Sequence, residues 1–133
     1  MQLNEISMVE VEKYDGELDW TANLYDTDVF AFLYNGIVVA EAVLFEDFNS
    51  IIIDNIKTRI YMKGIGTLVI KKISDYARSK DLICIKGESV PEAVGFWSRF
   101  NAQFDEEDNN SLTPFKIMCN DIDSKFEKFI KEI

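Results

Sequence analysis

The period of the apolar residues changes abruptly near residue 64, and that change limits the folds open to the chain. Upstream, Ser50 to Lys57 carries Ile51, Ile52 and Ile53 in unbroken succession, a run that favours a strand buried on both faces. Downstream, Ile65, Leu68, Val69, Ile73, Tyr76 and Ala77 recur at steps of three and four, with Lys71, Lys72, Ser74, Asp75 and Arg78 between them. That spacing predicts an amphipathic helix of about four turns. Leu82 to Lys86 is apolar and short again, which fits a second buried strand. A strand–helix–strand unit therefore sits at the centre of the chain.

More strands precede this unit. Val29 to Leu33 and Ile37 to Phe45 are β-branched and aromatic runs separated by Tyr34-Asn35-Gly36. Asn-Gly is a strong hairpin signal, because a type I′ turn needs positive φ at both central residues. After the unit, Pro91 opens a second helix that reaches about Phe100, and Asn101 fits a left-handed cap. Gln103 to Asp105 and Phe115 to Cys119 then fit a closing hairpin across an exposed loop from Glu106 to Pro114. Finally, Ile122, Phe126, Phe129, Ile130 and Ile133 lie on one stripe of a terminal amphipathic helix from Asp121 to Ile133. This order predicts an α+β (mixed α/β) fold, with a central mixed sheet flanked by helices and a carboxy-terminal helix.

A length of 133 residues supports one core, so residues 1–133 are expected to form a single domain. Apolar residues make up 47% and ten are phenylalanine, enough to fold without metal or disulfide. The two cysteines, Cys84 and Cys119, lie in apolar, strand-like runs rather than at metal-ligand spacing, so buried free thiols are expected. No histidine is present, which removes Ser-His and Cys-His nucleophilic machinery and the commonest transition-metal ligand. Met1 to Tyr14 has three glutamates and no apolar core of a signal peptide, and no apolar run is long enough to span a membrane. A cytoplasmic protein without a membrane or metal partner is predicted.

The formal charge is −10, which argues against nucleic acid as a partner. It is unevenly spread. Residues 1–48 hold eleven acids and one base, whereas residues 49–105 hold nine bases and six acids. The basic island coincides with the turn Lys63-Gly64-Ile65-Gly66-Thr67 that joins the Ile-rich strand to the helix. A helix start offers unpaired N–H groups and the positive end of a dipole, and glycine lets a phosphate approach them. Lys57, Arg59, Lys63, Lys71 and Lys72 add positive charge, so the turn is a candidate pyrophosphate cradle. A glycine-rich turn without any ligand fits the same residues. The turn is neither a P-loop nor the three-glycine dinucleotide fingerprint.

Tyr61-Met62-Lys63-Gly64-Ile65-Gly66 resembles the Arg/Gln-x-x-Gly-x-Gly/Ala signature of the GNAT acyltransferase superfamily, in place as well as in sequence. Residues 29 to 119 follow that family's order of elements. The resemblance implies that acetyl-CoA is the co-substrate. The amides of Met62, Lys63, Gly64, Ile65, Gly66 and Thr67 would hold its pyrophosphate, and Ile56, Lys57 and Thr58 would pair with pantetheine. It also implies that the strand carrying Ile56 splays from the next strand to leave a cleft, with the acceptor amine entering from the other side. Tyr61 stands where the family has Arg or Gln, and Val90 where many members have Asn. In Ala93-Val94-Gly95-Phe96-Trp97, similar to the family's Ala-x-x-Phe-Tyr, Trp97 replaces the tyrosine that often protonates the departing thiolate beside CoA.

The expected reaction is acetyl transfer from acetyl-CoA to a primary amine by direct attack, with an oxyanion held near Ile56. Candidate general bases are Asp54, an acid inside the Ile-rich run, and Glu46. Each also fits a solvated surface acid, and proximity alone can drive attack on a thioester. The acidic first third suits a cationic acceptor, whether a small molecule or a peptide, and equally a solubilising surface. The carboxy-terminal stripe packs on its own domain or, as the alternative, forms a homodimer contact. Trp97 and Tyr61 also fit a second reading, a GNAT-fold module that binds CoA or a protein without turnover. A third, resting on charge alone, is an acidic interaction protein.

Overall fold

The computed structural model describes residues 5–10, 28–60, 63–106 and 111–132, excluding the side chains of 129–132. Among these residues, seven strands form one mixed sheet: β1 (Ile6–Glu10), β2 (Asp28–Tyr34), β3 (Ile37–Asp47), β4 (Ser50–Thr58), β5 (Cys84–Ser89), β6 (Gln103–Phe104) and β7 (Thr113–Met118). Their order is β1-β2-β3-β4-β5-β7-β6, and β4–β5 is the parallel pair while the others are antiparallel. Helix α1 (Ile65–Ser79) makes the crossover between β4 and β5. Helix α2 (Val94–Ser98) lies between β5 and β6, and α3 (Cys119–Glu132) follows β7 and packs on α1.

The β2–β3 turn has positive φ at both Asn35 (52°) and Gly36 (77°), as a type I′ hairpin demands. The β3–β4 hairpin turns on Phe48 and Asn49, with positive φ at Phe48 alone of the two. Ile65, Leu68, Val69, Ile70, Ile73 and Ala77 of α1 are buried against Phe30, Phe32, Ala40, Ala42, Leu44, Ile51 and Ile53 of the sheet. The Phe30 and Tyr76 rings meet edge to face at 5.0 Å. Cys84 and Cys119 are buried free thiols, and Cys84 Sγ lies 3.0 Å from Ser50 Oγ.

Several boundaries differ from the sequence expectation. Strand β1 is additional: Ile6 and Met8 alternate toward the α1 face opposite Tyr34 and Phe32. The second helix is shorter than Pro91 to Phe100. Pro91–Ala93 form a 3₁₀ turn, and only Val94–Ser98 are α-helical before the chain turns at Asn101, whose φ is 60°. Cys119 begins α3 instead of ending a strand, and Thr113 and Pro114 belong to β7 rather than to a loop. Ile122 and Phe126 pack into the domain's own core; the side chains of Phe129, Ile130 and Ile133 lie outside the described residues.

Two irregularities in the sheet position the site. In the β3–β4 ladder, Val43 faces Asn55 and Leu44 faces Ile53, so Asp54 is an extra residue, a β-bulge. Because side chains alternate along a strand, one extra residue switches faces. Ile56 and Thr58 therefore continue the α1-facing row of Ile51 and Ile53. At the same level β4 and β5 part: their pairing runs from Ser50–Cys84 to Ile53–Gly87 and stops, while β4 continues to Thr58 beside β3 alone and β5 continues beside β7 alone. At the fork, a side chain on Gly87 would meet Phe115 Cζ at 2.9 Å and the Ile53 carbonyl at 3.3 Å. Phe115 fills that space, and Trp97 stacks on it with ring centroids 4.3 Å apart.

Candidate functional site

Beyond the fork lies a cavity of about 820 Å³. One wall is Ile56 and Thr58 of β4, a second is Lys63 to Thr67 and the first turns of α1, and a third is Phe96, Trp97 and Phe100 at α2. Gly64 is the N-cap of α1, with φ 84° and ψ −2°, and no side chain caps the helix. The first helical bond runs from the Leu68 N–H to the Gly64 carbonyl at 3.1 Å. The amides of Ile65, Gly66 and Thr67 thus have no acceptor within the helix and stand at the cavity. A Cβ on Gly66 would come within 2.9 Å of Phe96 Cε1, so glycine is what lets α2 close over the helix start.

Lys63, Gly64, Ile65, Gly66, Thr67, Ile56, Thr58 and Trp97 all line this cavity. Tyr61 and Met62 lie outside the described residues. Lys57 alternates to the other face of β4 and is not part of the lining. Trp97 contributes mostly to the core: it is 5% exposed, held between Phe115 and the edge of Phe96.

The two acids considered as bases are placed elsewhere. Asp54 is exposed because the bulge turns it out of the sheet, so its place within an isoleucine run has a topological cause. Glu46 pairs with Lys80 at 3.0 Å, beyond the far end of α1. Fifteen residues of helix put that pair roughly 22 Å from the cavity. Hydrogen bonding to Glu46 and to Tyr76 raises the Lys80 ammonium above its ordinary value. Among the described residues, no carboxylate lines the cavity.

The positive charge at the cavity also comes from other residues than expected. Of the five basic residues read as one island, Lys63 alone is in the lining. Arg59 pairs at 3.2 Å with Glu41, which is fully buried. Glu41 alternates with Ala40 and Ala42 and so faces away from α1; a lone acid in the apolar run Ile37 to Phe45 was its sequence signal. Lys71 lies 2.8 Å from both Asp75 and Asp123. Burial pulls the Lys71 ammonium down, but the two carboxylates outweigh that and leave it above 10.5. The remaining cations of the lining among the described residues are Arg99, at the end of α2, and Lys125 and Lys128 on α3. In a chain of net charge −10, the described residues that line the cavity include four cations and no carboxylate, a charge balance that favours anions.

Helix α3 is held in place by ion pairs. Asp123 accepts from Lys71 at one oxygen and pairs with Arg78 at 2.7 Å through the other, and Arg78 also donates to Asn120. Phe126 lies under the Lys71 ammonium, 5.7 Å from ring centre to nitrogen. The helix consequently runs back along α1 toward the Gly64 turn, bringing Lys125 and Lys128 to the cavity. Among the described residues, no group of three or more His, Cys, Asp or Glu could hold a metal ion, and no helix is long and apolar enough to cross a membrane.

Comparison with solved structures places this architecture. A GNAT family acetyltransferase from Elizabethkingia anophelis, solved with acetyl-CoA bound, is 13% identical with a TM-score of 0.63, over 86% of this chain and 99% of that one. A Klebsiella pneumoniae protein proposed to be an acyl-CoA N-acyltransferase is 11% identical with a TM-score of 0.68, over 86% and 97%. The PaiA N-acetyltransferase of Thermoplasma acidophilum, in complex with coenzyme A, is 13% identical with a TM-score of 0.56, over 70% and 61%. No protein-family model matches the sequence, and no curated protein matches it. At these identities the likeness is one of fold: the chain has the GNAT fold.

Proposed function

We propose that the protein is an acyl-CoA-dependent N-acyltransferase that uses acetyl-CoA and a primary amine. The observation that carries this reading is the coincidence of three features: the β4–β5 fork, the uncapped start of α1 and a cation-lined cavity between them. A pyrophosphate at Gly64 to Thr67 receives backbone N–H groups and the helix dipole, with Lys63 beside them. Ile56, Thr58 and Phe96 offer an apolar, hydrogen-bonding channel suited to pantetheine. Beyond the fork β4 runs without β5 as a partner, and the Ile56 N–H, which donates to the Asn55 side-chain oxygen at 2.9 Å, would exchange that bond for an oxyanion. The solved proteins of this fold that carry acetyl-CoA or coenzyme A support the same ligand.

In the reaction, the amine nitrogen bonds to the thioester carbon and the carbon–sulfur bond breaks. The sulfur leaves with the electron pair and takes up a proton, while the amine gives one up. With no carboxylate on the cavity wall among the described residues and an indole at position 97, both protons pass through water. Holding amine and thioester together then supplies most of the rate.

A second reading, CoA binding without turnover, is favoured specifically by Trp97, whose ring is packed on Phe115 and whose indole N–H, a hydrogen-bond donor only, is too weakly acidic to protonate a thiolate. One experiment separates the two. Acetyl-CoA is added to the purified protein, and both the melting temperature and free-thiol release are followed across a panel of primary amines that includes polyamines and lysine peptides. Stabilisation with thiol release supports the enzyme. Stabilisation without release supports the binding module, and no stabilisation rules out both.

A further inference from the structure

The basic end of the cavity is unlike its glycine end. Lys63 and the amides of Ile65, Gly66 and Thr67 already suit a pyrophosphate, yet three further cations, Arg99, Lys125 and Lys128, stand on the same lining. They come from elements remote in sequence. Lys125 and Lys128 are three residues apart on α3, on one side of the helix and about 5–6 Å apart at Cβ. That separation lets two ammonium groups share a single phosphate with three free oxygens. Cations near a helix carboxy-terminus are favoured by the dipole anyway, but the dipole does not select the side of the helix they occupy. The Asp123 tether to Lys71 and Arg78 does, by fixing the rotation of α3 against α1.

Coenzyme A carries a second anionic group that chemistry at the thioester never uses, the 3′-phosphate on its ribose, one nucleoside away from the pyrophosphate. We propose that Arg99, Lys125 and Lys128 bind this 3′-phosphate, so that α3 is the element distinguishing CoA from dephospho-CoA. The inference rests on acetyl-CoA as the ligand of the cavity and names the residues that would read its nucleotide end. A phosphomonoester is close to dianionic at neutral pH, so its contact with two or three cations is charge-assisted and sensitive to salt.

Calorimetric titration of the full chain with CoA, dephospho-CoA and pantetheine tests this, using the wild type and the double variant Lys125→Gln/Lys128→Gln. In the wild type, CoA is expected to bind about tenfold more tightly than dephospho-CoA. In the double variant that ratio should fall toward one, with pantetheine affinity and melting temperature unchanged. Equal wild-type affinity for CoA and dephospho-CoA overturns the inference and leaves the acyltransferase reading intact, as does a ratio that survives in the double variant. Absence of CoA binding to the wild type overturns both.

Discussion

Gly66 offers a test in which two opposing effects can be weighed. In an exposed helix, glycine to alanine stabilises by about 0.5–1 kcal/mol, because the unfolded chain loses freedom. At position 66 the new methyl would stand 2.9 Å from Phe96 Cε1 and 3.2 Å from Cζ. The Phe96 ring cannot simply swing away, since it meets Trp97 at 5.0 Å and Phe100 at 5.4 Å, edge to face in both cases. Overpacking of this kind costs about 1–3 kcal/mol, which exceeds the helix gain. Gly66→Ala should therefore destabilise by about 1 kcal/mol, lowering the melting temperature by about 4 °C. In a Phe96→Ala background the obstruction is gone, and the same substitution should stabilise by about 0.5–1 kcal/mol. Urea denaturation of the four proteins gives the coupling, expected near 2 kcal/mol. The same sign in both backgrounds would refute the packing of α2 over the helix start.

Four other perturbations test the site. Gly64→Ala forces a side chain into a left-handed backbone and should cost about 1–2 kcal/mol, while Gly64→Asn should cost less; equal losses would show that φ is not the constraint. Asp123→Asn loosens α3 from α1 at partly exposed ion pairs, so a loss of about 1 kcal/mol is expected, with a raised KM for acetyl-CoA. A change in stability with no change in KM would separate the tether from the cavity. The raised Lys71 ammonium contributes stability that is complete below 10.5 and disappears as pH rises through its higher folded value. The stability difference between wild type and Lys71→Met should accordingly be flat from neutral pH to about 10 and shrink above it; a difference that grows with pH contradicts the ion pairs. Trp97→Tyr places a phenol at the fork and should raise kcat for thiol release while leaving acetyl-CoA affinity within about twofold. An unchanged kcat would show that thiolate protonation does not limit turnover.

What could be read in the sequence is what short-range periodicity encodes. The Asn35-Gly36 hairpin, the core-facing row of α1 and the glycine turn are each fixed by neighbours within a few residues. Strand β1 escaped because it offers only Ile6 and Met8 to the inner face, with Glu10 next in that row, too short an alternation to stand out. Helix α2 ends early because Gly95 and Ser98 give little intrinsic support to a helix that opens at a proline. The cavity cations escaped for a different reason. Lys71 is four residues from Asp75, a pairing legible on one helix, but its second partner, Asp123, is remote in sequence. Lys125 and Lys128 reach the cavity only because that remote contact fixes α3. Linear clustering gathered Lys57, Arg59, Lys71 and Lys72 into the site, whereas the fold spends Arg59 and Lys71 on ion pairs.

Asp54 shows how one residue can be informative for the wrong reason. An acid among isoleucines suggests chemistry, yet its position as the extra residue of a bulge explains both its exposure and its tolerance. Remove that residue from the ladder, and Ile56 and Thr58 would turn to the opposite face, leaving the cavity without its β4 wall. Gly87 at the fork, Gly64 at the helix start and Gly66 beneath Phe96 complete the same frame. All four positions act through backbone geometry, and none supplies a proton. On the proposed reading, this chain keeps the parts of an acyltransferase that hold a thioester in place and leaves acid–base work to water. Activity should then depend more steeply on acceptor concentration and amine basicity than on any single ionisable side chain.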